Sequence, residues 1–407
     1  MEQKTRSIFS LAVIVASLGY FVDIYDLLLF SIVRIKSLTA LGLNAIQVRD
    51  VGLQLLNVQM AGLLLGGILW GILGDKKGRL SVLFGSIILY SIANFANGLV
   101  HGIPGYLVWR FVAGVGLAGE LGAGVTLVSE ILPKEKRGYG TMIISAVGIA
   151  GAVVAGFVAE LFSWRISFFV GSGLGIVLLL LRIGVLESGM FLSLKGEKVQ
   201  RGNFLSLFAN RQRFVKYLKC ILIGLPCWYV IGILVSFSND FAKQLNVAAA
   251  ISPGTAVMVS YTAISIGSLA SGGMSQQLKS RRKALIFFMF LTLAFILIYF
   301  FARGISAFQF YLVCAGLGFG VGYWAIFVTI AAEQFGTNLR ATVATTVPNF
   351  VRGLLVPITL LFQFLTRHFS LLKGGLFTGI ICMAIALIAA FAIEETFHKD
   401  LNYLEEA

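Results

Sequence analysis

Residues 51–99 read VGLQLLNVQMAGLLLGGILWGILGDKKGRLSVLFGSIILYSIANFANGL, two long apolar stretches joined by a charged turn at residues 75–79. A bilayer core of about 30 Å is crossed by about 20 helical residues, and both stretches reach that length. The rest of the chain is similar, because 58% of its 407 residues are hydrophobic and only 12% are charged. A soluble protein has about 25% charged residues. The sequence therefore predicts a polytopic membrane protein.

Twelve apolar segments of spanning length predict an all-α fold of two pseudo-symmetric six-helix halves. The predicted helices cover residues 8–33, 51–73, 80–99, 104–131, 138–160, 166–186, 216–239, 254–277, 284–302, 306–334, 341–366 and 374–394. The longest connection follows the sixth helix. The predicted division is a first bundle at 1–186, an interdomain loop at 187–215, a second bundle at 216–395 and a tail at 396–407.

The distribution of basic residues predicts the orientation. With both termini inside, the cytoplasmic segments carry 21 Lys and Arg and the outer segments carry 8, as the positive-inside rule requires. The net charge of +14 then reflects loop anchoring, and the absence of a basic stripe argues against a nucleic-acid partner. We expect an integral protein of a bacterial cytoplasmic membrane, with cytoplasmic termini.

Catalytic and metal-binding patterns are absent from the sequence. The four cysteines lie in or at the ends of apolar runs without metal-ligand spacing and are expected to be core thiols. The three histidines map to helix ends or tails, so a membrane-embedded enzyme has no support, and a sensor would need an appended soluble domain. No metal, cofactor or enzymatic activity is predicted.

An internal repeat supports the two halves. The fourth helix ends in Glu130-Ile-Leu-Pro-Lys-Glu-Lys-Arg137 and the tenth in Glu333-Gln-Phe-Gly-Thr-Asn-Leu-Arg340, and the two arginines are 203 residues apart. Equivalent motifs at half-chain spacing indicate duplication, as transporter halves show. We expect Glu130 to pair with Arg137, and Glu333 with Arg340, across their loops.

The second loop carries a compact motif of glycines and charges, Gly71-Ile-Leu-Gly-Asp75-Lys-Lys-Gly78-Arg79. Gly71 is expected to let another helix approach, Gly78 to permit a tight turn, and Asp75 to face a helix N-terminus or a cation. The motif resembles the Gly-x-x-x-Asp-Arg-x-Gly-Arg-Arg/Lys loop signature of the major facilitator superfamily, from which it departs at residues 76 and 80. The second-half counterpart has Gln277 in place of the aspartate.

Two further stretches resemble the proton-coupled metabolite, organic-acid, phosphate and sugar symporters of that superfamily. Helix 1 contains Asp23-Ile-Tyr25-Asp26-Leu27, and helix 4 runs from Arg110 through a glycine series to Glu120. The resemblance implies alternating access around a cavity lined by helices 1, 4, 7 and 10. It further implies Asp26 as the proton site with Asp23 as its partner, and Arg110 as a structural residue or a modulator of protonation.

Ionisable residues in the membrane are candidate functional sites by default. Asp23 and Asp26 are three residues apart and share one helix face, so their mutual repulsion favours proton binding by at least one of them near neutral pH. Structural hydrogen bonding is the alternative. Glu120, among four nearby glycines, is a candidate second protonation site or substrate contact.

Arg352 lies halfway along helix 11, where a guanidinium needs a carboxylate or an anionic ligand. A structural ion pair with a buried acid is the alternative to substrate binding, and packing is the alternative for the aromatic pairs of helices 7 and 10. The candidate substrate-binding residues are Arg352, Asn349, Trp228, Tyr229, Tyr323, Trp324 and Tyr25.

The sequence thus predicts a proton symporter that imports a small anionic organic metabolite or phosphate and works as a monomer in the bilayer. A proton-driven exporter and an importer of a neutral sugar, amino acid or nucleoside remain open as alternatives. Loop 2–3 and the two Glu/Arg motifs are expected to form a cytoplasmic gate.

Overall fold

The computed structural model describes residues 10–184, 203–400 and 403–405, without the side chains at 45, 46, 49, 50, 53, 134, 135, 137 and 184. Within these ranges the chain has no strand, and twelve helices are long and apolar enough to cross a membrane. The prediction of a twelve-helix all-α fold is confirmed. The helices are α1 (Leu11–Ala40), α2 (Ala45–Lys77), α3 (Arg79–Leu99), α4 (Ile103–Leu117 and Glu120–Ile131), α5 (Lys134–Ile149 and Gly151–Leu161), α6 (Trp164–Leu181), α7 (Arg211–Leu222, Leu225–Tyr229 and a wide turn at Val230–Val235), α8 (Pro253–Gln277), α9 (Arg281–Phe301), α10 (Ala307–Gly320 and Trp324–Glu333), α11 (Arg340–Gly353 and Leu355–His368) and α12 (Leu371–Ala392).

The first two helices differ most from their predicted bounds. α1 continues to Ala40 and α2 begins at Ala45, because Leu38 and Val48 in the extensions are buried in an apolar cluster of the first half. Two short helices flank α7, at Ser206–Ala209 and Ser238–Gln244. Residues 187–202 of the predicted interdomain loop lie outside the described residues.

The helix interruptions repeat in the two halves. α4 breaks at residues 118–119 and α10 at 321–323, while α5 breaks at residue 150 and α11 at residue 354. Each pair of breaks is separated by about half the chain, as are the Glu-x6-Arg motifs. Broken membrane helices are tolerated only where the backbone lies within protein or beside a cavity, and the breaks of α4 and α10 are buried while residues 150 and 354 are half-buried.

α2 packs closely against α4 through a Gly-x-x-x-Gly pair. A Cβ on Gly62 would lie 2.3 Å from the Phe111 carbonyl oxygen, and one on Gly66 would lie 2.5 Å from the Val115 carbonyl oxygen. Small residues at this spacing let two membrane helices approach to backbone contact. The α2–α4 contact therefore fixes the position of the loop motif that follows α2.

Replacing Gly62 by valine is expected to destabilise the protein by about 1–3 kcal/mol or more, because the new side chain meets backbone rather than a movable side chain. The apparent Tm of the purified protein in detergent measures this. Gly273→Val is the matched control, since a Cβ there has no neighbour within 4 Å. Equal Tm losses in the two variants would contradict the close α2–α4 packing.

Candidate functional site

A small cavity lies between the two halves near the middle of the bundle, with a volume of about 40 Å³. This is room for a few water molecules. Its lining is aromatic and aliphatic apart from one guanidinium: Tyr20, Trp228, Tyr261 and Trp324, with Ile24, Ile149, Ile231, Ile264, Val321, Cys227 and Arg352. The lining comes from α1, α5, α7, α8, α10 and α11. The expectation that helix 4 lines the cavity is therefore not met by these residues.

Arg352 joins the two halves at the cavity. Its Nη2 lies 3.4 Å from Asp23 Oδ2 in α1, and its Nη1 donates to Asn349 Oδ1 at 3.2 Å. Both members of the ion pair are buried. Arg352 thus has the buried acid that the structural alternative required, and it also lines the cavity.

Asn349 holds α11 against the break in α4. Its Nδ2 donates to the Ala118 carbonyl oxygen at 2.9 Å and to the Thr345 carbonyl oxygen at 2.8 Å. The Ala118 carbonyl lies at the interruption of α4, so the amide satisfies backbone at that break. Asn349 is outside the cavity lining and links the two halves, and its substrate contact stays a prediction.

One residue of each aromatic pair lines the cavity and the other packs against neighbouring helices. Trp228 and Trp324 line the cavity, whereas the Tyr229 hydroxyl donates to the Gly375 carbonyl at 2.7 Å and the Tyr323 hydroxyl to the Ile223 carbonyl at 3.1 Å. Consecutive helical residues point about 100° apart, so only one of each pair faces the cavity. Tyr229 and Tyr323 therefore lie outside the lining of this cavity, and their contact with a substrate stays a prediction.

Tyr25 is also turned away from the cavity. Its hydroxyl donates to the Ser167 carbonyl oxygen of α6 at 2.9 Å. Tyr20, one turn earlier on α1, lines the cavity instead. The sequence does not single out Tyr20, because it lies outside the Asp-x-Tyr-Asp motif. Its position about one helical turn before Ile24 and Asp23 is the only signal that places it at the cavity.

A second buried ion pair lies within the first half. Arg110 Nη1 of α4 is 3.9 Å from Asp26 Oδ1 of α1, and the guanidinium lies over the rings of Phe30 and Phe168 at 5.3 and 5.8 Å. Among the described residues, neither Asp26 oxygen and none of the Arg110 nitrogens has a hydrogen-bond partner. The contact is long and unsupported, which leaves both groups free to change partners.

Other buried amide side chains of the first half share this property. The side-chain oxygens and nitrogens of Gln59, Asn94 and Asn97 have no hydrogen-bond partner among the described residues. Asn94 lies beside the Asp26 carboxylate. Buried polar groups are normally hydrogen-bonded, so these amides of α2 and α3 can still bind water or another polar group.

Glu120 is held in a third ion pair. Arg182, in the turn after α6, approaches Glu120 with two nitrogens at 2.5 and 3.1 Å, and Ser86 Oγ donates to the same carboxylate at 2.5 Å. A Cβ on Gly19 of α1 would lie 2.5 Å from Arg182, so α1 needs a glycine beside this pair. Arg182 gave no functional signal in the sequence beyond its depth in a helix.

This third ion pair changes the interpretation of Glu120. The carboxylate faces a permanent cation inside the first half and is outside the cavity lining. Its expected exposure to a proton or substrate is thus replaced by a strong bidentate contact of the kind that fixes helix positions.

A polar network closes the end of the bundle at which α2 ends, here called the motif end. Asp75 of the first half accepts hydrogen bonds from the backbone N–H groups of Ala341 and Thr342 at 3.1 and 2.8 Å. These groups lie in the first turn of α11, where unpaired N–H groups and the helix dipole favour a carboxylate. The expectation that Asp75 faces a helix N-terminus agrees with this contact.

The two glycines of the motif have the expected geometry. A Cβ on Gly71 would lie 2.9 Å from Thr342 Cα, so this position lets α11 approach. Gly78 has φ +105°, a conformation that other residues rarely adopt. Both glycines serve the contact between α2 and the start of α11.

Glu130 is the carboxylate that two arginines share at the motif end. Its Oε1 accepts from Arg79 Nη2 at 2.7 Å and from Arg340 Nη1 of the other half at 3.1 Å. Glu333 pairs with Arg281 at 3.2 Å and accepts from Thr396 at 2.7 Å. The predicted Glu333–Arg340 pair is therefore wrong, because the turn before α11 carries Arg340 across to the first half. The Arg137 side chain lies outside the described residues.

The second half repeats this arrangement with a neutral residue. Gln276, with its amide oxygen turned to the available donors, accepts from the Gly138 backbone N–H at 3.1 Å and from Arg281 at 3.2 Å. Gln276 contacts α5 as Asp75 contacts α11, whereas Gln277 is exposed. The counterpart of the loop aspartate is thus Gln276.

Comparisons with known proteins agree with this architecture. The sequence profile of the Major Facilitator Superfamily matches residues 7–359. A putative niacin/nicotinamide transporter, NiaP, of Bacillus subtilis (strain 168) is 26% identical over 392 residues, which are 92% of this chain and 93% of that protein. The sialic acid transporter NanX of Escherichia coli (strain K12) is 27% identical over 233 residues, 55% of this chain and 56% of that protein.

A solved structure has the same fold. The proton:xylose symporter XylE, bound to 6-bromo-6-deoxy-D-glucose, superposes with a TM-score of 0.75 over 97% of this chain and 98% of that chain, at 17% identity. At this identity the likeness concerns the fold alone.

Replacing Asp75 by alanine is expected to loosen the motif end. A capping carboxylate contributes about 1–2 kcal/mol, so a cysteine placed at Thr345, which is buried against Gly122 of α4, should react about 5- to 30-fold faster with a water-soluble maleimide. The four native cysteines are buried and give a low background.

Two variants control this measurement. Asp75→Asn retains one acceptor oxygen and should give an intermediate rate, while Lys76→Ala changes an exposed neighbour and should give the native rate. A native labelling rate in the Asp75→Ala protein would mean that the cap does not hold the halves together.

Proposed function

The chain belongs to the Major Facilitator Superfamily of membrane transporters, and on that basis we propose that it is a proton symporter that imports a small organic acid by alternating access. It is an integral membrane protein with twelve spanning helices.

The contact that carries the proton-coupling proposal is the Asp26–Arg110 pair. A carboxylate and a guanidinium that are fully buried, 3.9 Å apart and without further hydrogen bonds form a marginal pair. Protonation of Asp26 removes its charge and frees Arg110 to rest on the rings of Phe30 and Phe168. The Asn94 side chain lies beside this carboxylate and can hydrogen-bond its protonated form.

The lining of the cavity supports an organic acid as substrate. Trp228, Trp324, Tyr20 and Tyr261 suit a flat or apolar body, and Arg352 suits one carboxylate. Inorganic phosphate needs more donors than one guanidinium among mostly apolar side chains, so the lining disfavours it. The names of two relatives include two carboxylic acids, niacin and sialic acid, and also the neutral amide nicotinamide.

The Asp23–Arg352 pair suggests how substrate binding is coupled to protonation of Asp23. A substrate carboxylate that approaches Arg352 competes with Asp23 for the same guanidinium. The displaced Asp23 is then a buried unpaired carboxylate, which is costly unless it takes up a proton. Substrate and proton would thus enter together, with Asp26 as the second acid on the same helix face.

The proposed orientation bears on the side from which the cavity is loaded. The 21-to-8 distribution of Lys and Arg supports cytoplasmic termini in a bacterial inner membrane. The motif end is then cytoplasmic, and the Asp75 cap and the Glu130–Arg340 pair hold that end together. The cavity of about 40 Å³ is too small for an organic acid, so loading requires the halves to part at the opposite end.

Liposome uptake tests this function with niacin as the probe acid and nicotinamide as its neutral counterpart. We expect niacin to accumulate when the outside is made acidic, and nicotinamide and phosphate to be transported poorly. Equal transport of both forms would favour a neutral solute. Efflux driven by the same gradient would identify an exporter, and no pH-dependent movement of any probe acid in a wider carboxylate panel would refute proton symport.

Asp26→Asn is expected to abolish gradient-driven accumulation, because an amide cannot carry the proton. Counterflow exchange of labelled substrate should fall less than accumulation. Asp240→Asn, at an exposed acid, is the matched control and should behave as the native protein. If Asp26→Asn still concentrates substrate in proportion to the pH step, Asp26 is not the coupling site.

Arg352→Lys retains the charge but loses the planar two-point geometry, so substrate binding should weaken. Arg352→Gln should weaken it further and lower stability by about 3–5 kcal/mol, because Asp23 loses its partner. The double variant Asp23→Asn/Arg352→Gln separates the two roles in binding titrations and melting curves. Restored stability with lost acid binding supports substrate recognition, whereas restored stability and unchanged acid selectivity would show that Arg352 serves only the ion pair.

A further inference from the structure

A large basic pocket lies at the motif end of the second half, apart from the central cavity. It has a volume of about 710 Å³ and lies between the first turns of α7, the end of α12 and residues 403–405. Four cations and two carboxylates line it: Arg211, Arg213, Lys216, Lys219, Glu394 and Glu405. The lining therefore has an excess of positive charge, which favours an anion.

One carboxylate already lies between two of these cations. Lys216 Nζ is 3.0 Å from Glu405 Oε1, and Arg213 Nε is 3.6 Å from Glu405 Oε2. Glu405 follows the last membrane helix and lies in the pocket as an internal anion. The cations of α7 are thus arranged to face a negative group at this point.

The other two cations border the opening. Lys219 Nζ donates to the Ala392 carbonyl oxygen at 2.8 Å and has no carboxylate partner in the described chain. Arg211 is exposed at the first residue of α7, and it too has no ion-pair partner among the residues described. These two side chains add positive charge that Glu405 does not neutralise.

The surface beside the pocket is apolar and exposed. Leu205 is 74% exposed, Phe208 46%, and Phe214 and Leu218 37% each. Leu205 directly precedes the short helix Ser206–Ala209 and Phe208 lies on it, and the other two lie at the start of α7, where this membrane span begins. Exposed apolar side chains next to clustered cations at the membrane boundary match a lipid, with acyl chains on the former and a headgroup phosphate at the latter.

We propose that this pocket binds a phosphate group carried by an anionic phospholipid, in competition with Glu405. A free phosphate ion shares the charge chemistry but gains nothing from the apolar side chains. The proposal is independent of the substrate of the central cavity and of proton coupling, because none of its residues contacts either.

Thermal-shift titration of the full-length protein in detergent tests the pocket. The probes are short-chain phosphatidylglycerol, phosphatidylcholine of the same chain length, and inorganic phosphate. We expect phosphatidylglycerol to raise the apparent Tm in a saturable way and phosphatidylcholine to have little effect. A phosphate response equal to that of phosphatidylglycerol would assign the site to the soluble anion.

Two double variants with equal charge change locate the effect. Arg211→Gln/Lys219→Gln should weaken the phosphatidylglycerol response at least tenfold. Lys279→Gln/Lys283→Gln, at two exposed lysines before and within the first turn of α9, should leave it unchanged. Equal responses of the two double variants, or no saturable response of the native protein to phosphatidylglycerol or phosphate, would overturn the proposal.

Glu405→Gln gives a test in the opposite direction. Removing the competing carboxylate should tighten phosphatidylglycerol binding several-fold, a gain that misfolding cannot produce. Unchanged or weaker binding in a Glu405→Gln protein of native Tm would contradict competition at this pocket.

Discussion

The cost of placing charges inside a membrane bundle constrains the rest of this structure. In three of the buried ion pairs each acid has an arginine of its own: Asp23–Arg352, Asp26–Arg110 and Glu120–Arg182. An unpaired charge at this depth costs several kcal/mol, so the pairs fix how α1, α4, α6 and α11 are placed. The three pairs differ in the number and distance of the donors around each acid, which distinguishes a tightly held contact from a loose one. Glu120 has three donors at short distance, whereas Asp26 has one distant partner.

α1 connects the pairs to both halves. Asp23 reaches across to α11, while Asp26, three residues later, remains in the first half with Arg110. A movement of the halves therefore changes the surroundings of Asp23 directly and those of Asp26 through the same helix. α1 carries both acids, supplies Tyr20 and Ile24 to the cavity lining and meets Arg352 of α11 through Asp23. These contacts connect the cavity to the two acids of α1.

α11 links the cavity to the motif end. The N–H groups of its first turn donate to Asp75 and its Arg340 pairs with Glu130, while Asn349 and Arg352 lie two to three turns further along. Ten residues of helix span about 15 Å. The second half caps α5 only with the neutral Gln276. The two contacts at the motif end thus occupy equivalent positions but differ in charge. The carboxylate, with its favourable interaction with the helix dipole, is on the α2–α11 side.

The sequence alone determined the class, the twelve helices, the half-chain repeat, the family and the roles of Gly71, Asp75 and Gly78, because apolar length, turn glycines and helix-end chemistry are local properties. It did not determine which buried charges meet. The Glu130–Arg340 and Glu120–Arg182 pairs join residues 210 and 62 positions apart, and Tyr229 and Tyr323 face packing rather than the cavity. Which charges pair and which side chains face the cavity depend on how whole helices are rotated and how closely they approach. Only the packing of the bundle determines this.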